Sequence, residues 1–298
     1  MLSTDRTIFE KGSPARMRME EYAQTFGTLS VIVFSRGVGA RPTVGAPLSI
    51  YPTGSASRFA YIRDAVKIGA HIQHADVVTA QDPFETGLAG VRIARRLKLP
   101  LHVQVHTDFM APGFTFAHWP LNMIRRCIAS LVLPKADRIR TVSARIKEKL
   151  EKRYHPKGGV SVLPIFVDTE KFAHVAKTSH PKFKTVLLVV SRLEKEKRID
   201  RTVDALKKVR DAGIDAGLVI VGSGSEEKPL KRLVRKVGAS EWVEFAGFQN
   251  NLIPYYASAQ VLLYPGAPYE GYGMSIIEAL AAGVPVLALD VGIARQAG

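Results

Sequence analysis

Strand-length apolar runs alternate with amphipathic stretches from one end of the chain to the other, and that alternation limits the fold more than any other feature. "LSVIVF", "ADVVTA", "LHVQVH", "RIRTVS" and "VSVLPI" come first, followed by "TVLLVVS", "GLVIVG", "WVEFAG", "QVLLYP" and "VPVLAL". Each has the length and β-branched content of a strand. Between them lie helical patterns such as "IDRTVDALKKVRDAG", whose Ile199, Val203, Leu206 and Val209 keep helical spacing and which closes at Gly213. Strands alternating with helices predict an α/β fold with parallel sheets covered by helices on both faces. A chain of 298 residues can bury two such cores. The stretch "DTEKFAHVAKTSHPKFK", residues 168–184, has little apolar periodicity and carries Pro181 just before a new strand. It predicts a linker, with domains at 1–172 and 173–298.

Charge is distributed unevenly over these halves. Residues 1–180 hold 26 Lys and Arg against 14 Asp and Glu, whereas residues 181–298 hold 16 against 13. A basic first half fits an anionic membrane face or an anionic substrate, and fits a solvated surface equally well. The cations are spread over many segments, without zinc-finger spacing or a basic stretch interleaved with aromatics, so no nucleic-acid partner is expected. No apolar run approaches the roughly 18 to 20 residues needed to cross a bilayer. The single Cys127 cannot form an internal disulfide, and its neighbours in "NMIRRCIASLVL" predict a buried thiol. A cytoplasmic protein is expected, with peripheral contact at the inner face of the membrane as a hypothesis.

The most specific stretch is "PYEGYGMSIIEALAAGVPVLA", residues 268–288, which sets Glu270 and Glu278 eight positions apart around Gly271 and Gly273. It follows the strand "QVLLYP" and opens a helix, with Ile276, Ile277, Leu280 and Ala281 as its apolar stripe and Glu278 pointing away. A strand, a glycine-containing turn and a helix N-terminus form an anion site, because free amides point outward and glycine lets a ligand approach the backbone. Carboxylates would repel a diphosphate there, so both glutamates are read as acceptors for sugar hydroxyls flanking the phosphates. An ordinary strand-to-helix turn with a solvated Glu278 fits the same stretch.

The Glu-x7-Glu pattern followed by "ALAAGVPVLA" resembles the retaining glycosyltransferases of family 4, also called group 1, over nearly the whole chain. The resemblance implies the GT-B arrangement, two Rossmann-like domains facing a cleft, and transfer of a sugar from a nucleotide-diphosphate donor to an acceptor hydroxyl. It implies that Glu270 contacts the donor sugar, Glu278 holds the ribose, and the amides of Gly271, Tyr272, Gly273 and Met274 face the diphosphate. "VSRLEKEKRID", residues 190–200, is similar to the family's strand-end motif, with Arg192 and Lys197 at its cationic positions. Two cations aimed at the departing diphosphate would stabilise charge that develops in the transition state. Arg198 stands where the family often has glycine. A front-face retaining route, in which the leaving phosphate helps take the acceptor proton, also comes from the resemblance.

Other landmarks are fainter. His102 and His106 lie on one face of "LHVQVH", but at about 3.3 Å per residue they are roughly 13 Å apart, too far to share a metal ion. His106 fits the family's histidine on the acceptor side, and His102 is expected to pack. "VGSGS", residues 221–225, lies near the nucleotide in the family, and Gly247 and Phe248 match positions that contact the base. The first loop departs from the pattern, since it offers only Gly12 before its helix, with Ser13, Arg16 and Arg18 close behind. No Asp-x-Asp occurs, and the two cations can fill a divalent ion's role, so metal-independent chemistry without a cofactor is expected. Another GT-B enzyme, such as an epimerase or phosphorylase, and a non-catalytic nucleotide-sugar or anionic-surface binding protein are the alternatives. "MLS" is short for a first strand and "ALDVGIARQAG" stops soon after a last one, so an incomplete C-terminal domain is expected.

Overall fold

The computed structural model describes residues 1–37, 41–72 and 74–296, so Gly298 lies outside the described residues. The chain folds as two compact units, one formed by Met1–Met110 and His118–Leu163, the other by Ala111–Ala117 and Pro164–Gly298. The first is built on a seven-stranded sheet of β1 (Leu2–Ser3), β2 (Leu29–Val33), β3 (Leu48–Pro52), β4 (Val78–Ala80), β5 (Leu101–Val105), β6 (Arg138–Thr141) and β7 (Val160–Val162). Its spatial order is β3-β2-β1-β4-β5-β6-β7. The second unit carries β8 (Thr185–Val190), β9 (Ala216–Val221), β10 (Val243–Gly247), β11 (Val261–Tyr264) and β12 (Val286–Ala288), ordered β10-β9-β8-β11-β12. Every ladder between these strands is parallel.

A parallel sheet needs apolar side chains on both faces, and β8 and β9 supply them by alternation. Leu187, Val189, Leu218 and Ile220 pack with Ile199, Val203 and Leu206 of the following helix. Val186, Leu188, Val219 and Val221 face the other way, against Tyr256, Leu262 and Ala279. Each such residue, fully buried, contributes about 1.5–3 kcal/mol relative to exposure. The helix Asp200–Asp211 ends before Gly213, whose φ of 82° is the left-handed conformation glycine adopts without strain.

Three expectations change. The boundary expected at 172/173 falls at 163/164, because Phe172 is buried with Phe183 and stands edge-on to Tyr256 at 5.5 Å, tying residues 164–172 to the second unit. Part of the expected linker is the short helix Glu170–Ala173. Cys127 is exposed. Its helix, Leu121–Val132, turns Asn122, Ala129 and Val132 inward, and Cys127 lies on the opposite side. β3 was not legible as a strand.

Candidate active site

The order of the second sheet reverses beside β8: β9 and β10 extend one way, β11 and β12 the other. Loops leaving the carboxyl ends of β8 and β11 therefore diverge, and this switch point is where open α/β sheets form a ligand crevice. Arg192 and Lys197 follow β8 and Glu270 follows β11, so two motifs more than 70 residues apart meet at one edge.

The meeting is direct. The Lys197 ammonium is ion-paired with Glu270 Oε2, both side chains being less than one-fifth exposed. Beneath the pair lies Tyr264, the last residue of β11, with the Lys197 Nζ 6.0 Å from its ring centroid. Its hydroxyl is hydrogen-bonded to Glu270, and burial, then the Glu270 charge, pushes its pKa well above the ordinary tyrosine range. Ser191, Lys197, Tyr264 and Gly266 line a small cavity here. Arg192 reaches outward, 73% exposed, with Nη2 3.6 Å from Glu196 Oε1.

The "VGSGS" turn braces the loop that carries Arg192. A Cβ at Gly222 would lie 1.9 Å from the Ser191 carbonyl oxygen, and one at Gly224 2.4 Å from that of Leu193. Only glycine lets the two backbones approach so closely. The Leu193 amide donates to the Ser223 carbonyl at 2.9 Å, and the Ser225 hydroxyl to Glu194 Oε2 at 2.6 Å. Arg198, at the position where the family often has glycine, holds φ 51° and ψ 37°. This is the left-handed conformation, which costs a non-glycine residue about 1–2 kcal/mol.

Past Glu270 the chain turns through Gly273, at φ 105°, into the helix Met274–Ala281. A Cβ on Gly273 would press on Ile276 at 3.0 Å and on Tyr264 at 3.3 Å. Gly273 caps the helix without a side chain, the arrangement in which first-turn amides face outward. Gly271 and Tyr272 are buried and Met274 is exposed. The Tyr272 carbonyl accepts from the Ile293 amide at 2.9 Å.

Ser275, Ile276, Ala279 and Ala282 make the inward face of this helix, while Leu280 is exposed, a correction to the expected stripe. Glu278 does not point into open solvent either. The hydroxyl of the fully buried Tyr256 donates to Glu278 Oε2 at 2.7 Å. Burial raises the Glu278 pKa, against the lowering effects of Tyr256 and Lys171. Sequence reading missed Tyr256 and Tyr264, which sit in apolar strings and look like core.

Gly247 ends β10 with φ 69° and open space where a Cβ would stand, and Phe248 is 70% exposed. The Gly247 carbonyl accepts from the Gly222 amide at 2.7 Å, so both lie on the carboxyl edge of the sheet. His106 and Gly12 belong to the first unit. His106 Nε2 lies 3.0 Å from Gln104 Oε1. Desolvation, then Arg140 and Arg18, lowers its pKa to about 4. His102 Nδ1 lies 3.4 Å from Thr79 Oγ1 within the sheet. Gly12, at φ 80°, leads into the helix Pro14–Phe26. Ser13 is that helix's N-cap, accepting from the Arg16 amide at 3.1 Å, and the Arg16 side chain is paired with Glu20.

Comparison with known proteins identifies the family and the fold. The family described as "Glycosyltransferase Family 4" matches residues 21–171, and "Glycosyl transferases group 1" matches residues 170–297. A GDP-mannose-dependent alpha-(1-6)-phosphatidylinositol monomannoside mannosyltransferase of Mycobacterium tuberculosis H37Rv is 29% identical over 193 residues, 60% of this chain and 50% of that protein. A GDP-mannose-dependent alpha-mannosyltransferase of Mycolicibacterium smegmatis is 28% identical over 74% of this chain and 57% of its own length. The chain thus spans about half the length of these curated relatives. Among solved structures, sucrose-phosphate synthase of Thermosynechococcus elongatus superposes with a TM-score of 0.74 at 18% identity, over 99% of this chain and 82% of that one. Anabaena HepE in complex with UDP-glucose gives 0.70 at 19%, over 99% and 81%. The fold is that of the GT-B enzymes, and the chain belongs to glycosyltransferase family 4.

Proposed function

We propose that the chain is a retaining glycosyltransferase that moves a hexosyl group from a nucleotide-diphosphate donor to an acceptor hydroxyl without a divalent metal. The observation that carries this reading is the Lys197–Glu270 pair beside Arg192 at the switch point of the second sheet. Arg192 and Lys197 take the negative charge that grows on the departing diphosphate. Glu270 accepts from hydroxyls of the transferred sugar, and Glu278 from those of the ribose. The amides from Gly271 to Met274 face the phosphates, and Gly247 and Phe248 flank the base. The bond from the sugar to the phosphate oxygen breaks while one to the acceptor oxygen forms on the same face, and the acceptor proton passes to the leaving phosphate. His106, neutral above about pH 4, offers an imidazole to the acceptor.

The acceptor's partner surface belongs to the first unit in this reading. Among the described residues no helix is long and apolar enough to cross a membrane. Trp119, Ile124 and Leu131 are exposed on and beside the helix Leu121–Val132, in the half of the chain that carries the excess of cations. These features support peripheral contact with an anionic membrane at its cytoplasmic face. Co-sedimentation should be stronger with anionic than with neutral vesicles, and equal binding would remove this part of the reading.

The catalytic reading is tested by thermal shift against a panel that includes GDP-mannose, UDP-glucose and UDP-N-acetylglucosamine, followed by product analysis with a chelator present. Stabilisation by one donor and an axial product from an axial donor are expected. An inverted product would overturn retention, and activity lost to the chelator and restored by magnesium or manganese would overturn metal independence.

A further inference from the structure

The geometry points to Tyr256 as a positioning residue that fixes the Glu278 carboxylate for the ribose hydroxyls, an inference that rests on the donor-site reading above. Tyr256 lies on the helix Ile253–Ser258 and is completely buried, edge-on to Phe172 at 5.5 Å. Its hydroxyl is the polar tip of an otherwise apolar side chain, and burial makes it choose a protein partner. It donates to Glu278 Oε2 at 2.7 Å, and it lies 3.4 Å from the Ser275 carbonyl one turn earlier on the same helix. Glu278 is thereby held through one oxygen, with Oε1 left to accept from a diol. A short, charge-assisted hydrogen bond from a rigid donor also lowers the cost of keeping this carboxylate aimed.

The surroundings favour orientation over charge neutralisation. The groups that bear on Glu278 from the packed elements are Tyr256 and Lys171. Lys177 reaches only the last turn of the same helix, donating to the Ala282 carbonyl at 3.1 Å. Tyr256 is a neutral donor, kept protonated by burial and by the Glu278 charge. Removing its hydroxyl takes away a contact that favours the ionised carboxylate, so the pH below which Glu278 stops accepting hydrogen bonds moves up.

Calorimetric binding of UDP and GDP, each beside its 2′,3′-dideoxy form, tests this in the wild type, Tyr256→Phe, Glu278→Gln and the double variant. For whichever nucleotide the wild type prefers, loss of the ribose hydroxyls should weaken binding about tenfold. In Tyr256→Phe that discrimination should fall to about threefold, the acid loss of binding should shift to higher pH, and the double variant should be no worse than Glu278→Gln. Thermal melts of each variant separate misfolding from loss of recognition, and Glu278→Gln leaves the buried tyrosine in place. Equal weakening of the ribose and dideoxy forms by Tyr256→Phe would assign the tyrosine to packing alone and overturn the inference. A wild type that binds neither nucleotide would overturn the donor-site reading itself.

Discussion

Glu270 and Glu278 stand on either side of one turn and are held by opposite means. Glu270 is paired with the cation of Lys197 and capped from below by Tyr264. Glu278 is held by the neutral phenol of Tyr256 inside the core. A lysine on a flexible stem can exchange one anion for another. A fully buried tyrosine has no such freedom. In the proposed function the two carboxylates serve different steps: Glu270 belongs to the charge that changes during transfer, Glu278 to a contact made equally before and during it.

The largest effects should therefore fall at the cations. Arg192→Ala and Lys197→Ala are each expected to lower kcat by about 10² to 10³, as loss of a group aimed at developing charge does. Steady-state kinetics that changed KM alone would break the comparison on its first side. Glu278→Ala should instead raise the donor KM by about tenfold and leave kcat within about twofold. Equal changes in kcat and KM across all three variants would show that the two cations and Glu278 do not have the separate roles assigned to them.

How far the sequence reveals this site follows from what sequence periodicity can carry. Ten of the twelve strands among the described residues are legible as apolar runs, because a two-sided parallel sheet demands them. β3 escapes because "PLSIYP" is bounded by prolines, which read as loop. Arg192, Lys197 and Glu270 can be named from motif resemblance, but 73 residues separate Lys197 from Glu270, and only the strand order brings them into contact. Tyr256 and Tyr264 are hidden among apolar neighbours, where a tyrosine looks like any other core residue until its hydroxyl's partner is known. The left-handed Arg198 shows the reverse case, a backbone conformation that its residue type does not announce. Cys127 and Leu280 are exposed against expectation because an apolar neighbourhood in sequence does not say which side of a helix faces the core.

Smaller effects sharpen the same contrast through pH. Burial raises the Glu278 pKa, so donor affinity should begin to fall at a higher pH than an ordinary glutamate would give, as the carboxylate takes up a proton and stops accepting from the ribose. The Glu278→Gln variant should lose that acid limb, which titration calorimetry across pH 4–8 would reveal. His106 has the opposite sign. Its folded pKa, about 4, lies below the unfolded value of 6.5, so any stability linked to the neutral imidazole is present above pH 6.5 and is lost as pH falls toward 4. Its ring resonances should titrate near pH 4 by NMR, and a midpoint above 6 would contradict the lowering by desolvation, Arg140 and Arg18.

The most direct measurement of the central claim is single-turnover release of nucleoside diphosphate from the preferred nucleotide sugar in the presence of a chelator, comparing the wild type with Lys197→Ala at saturating donor. Release by the wild type without metal is expected, with a rate roughly a hundredfold lower for the variant. Equal rates for the two proteins would contradict it, as would a wild type that releases nothing until a divalent ion is added.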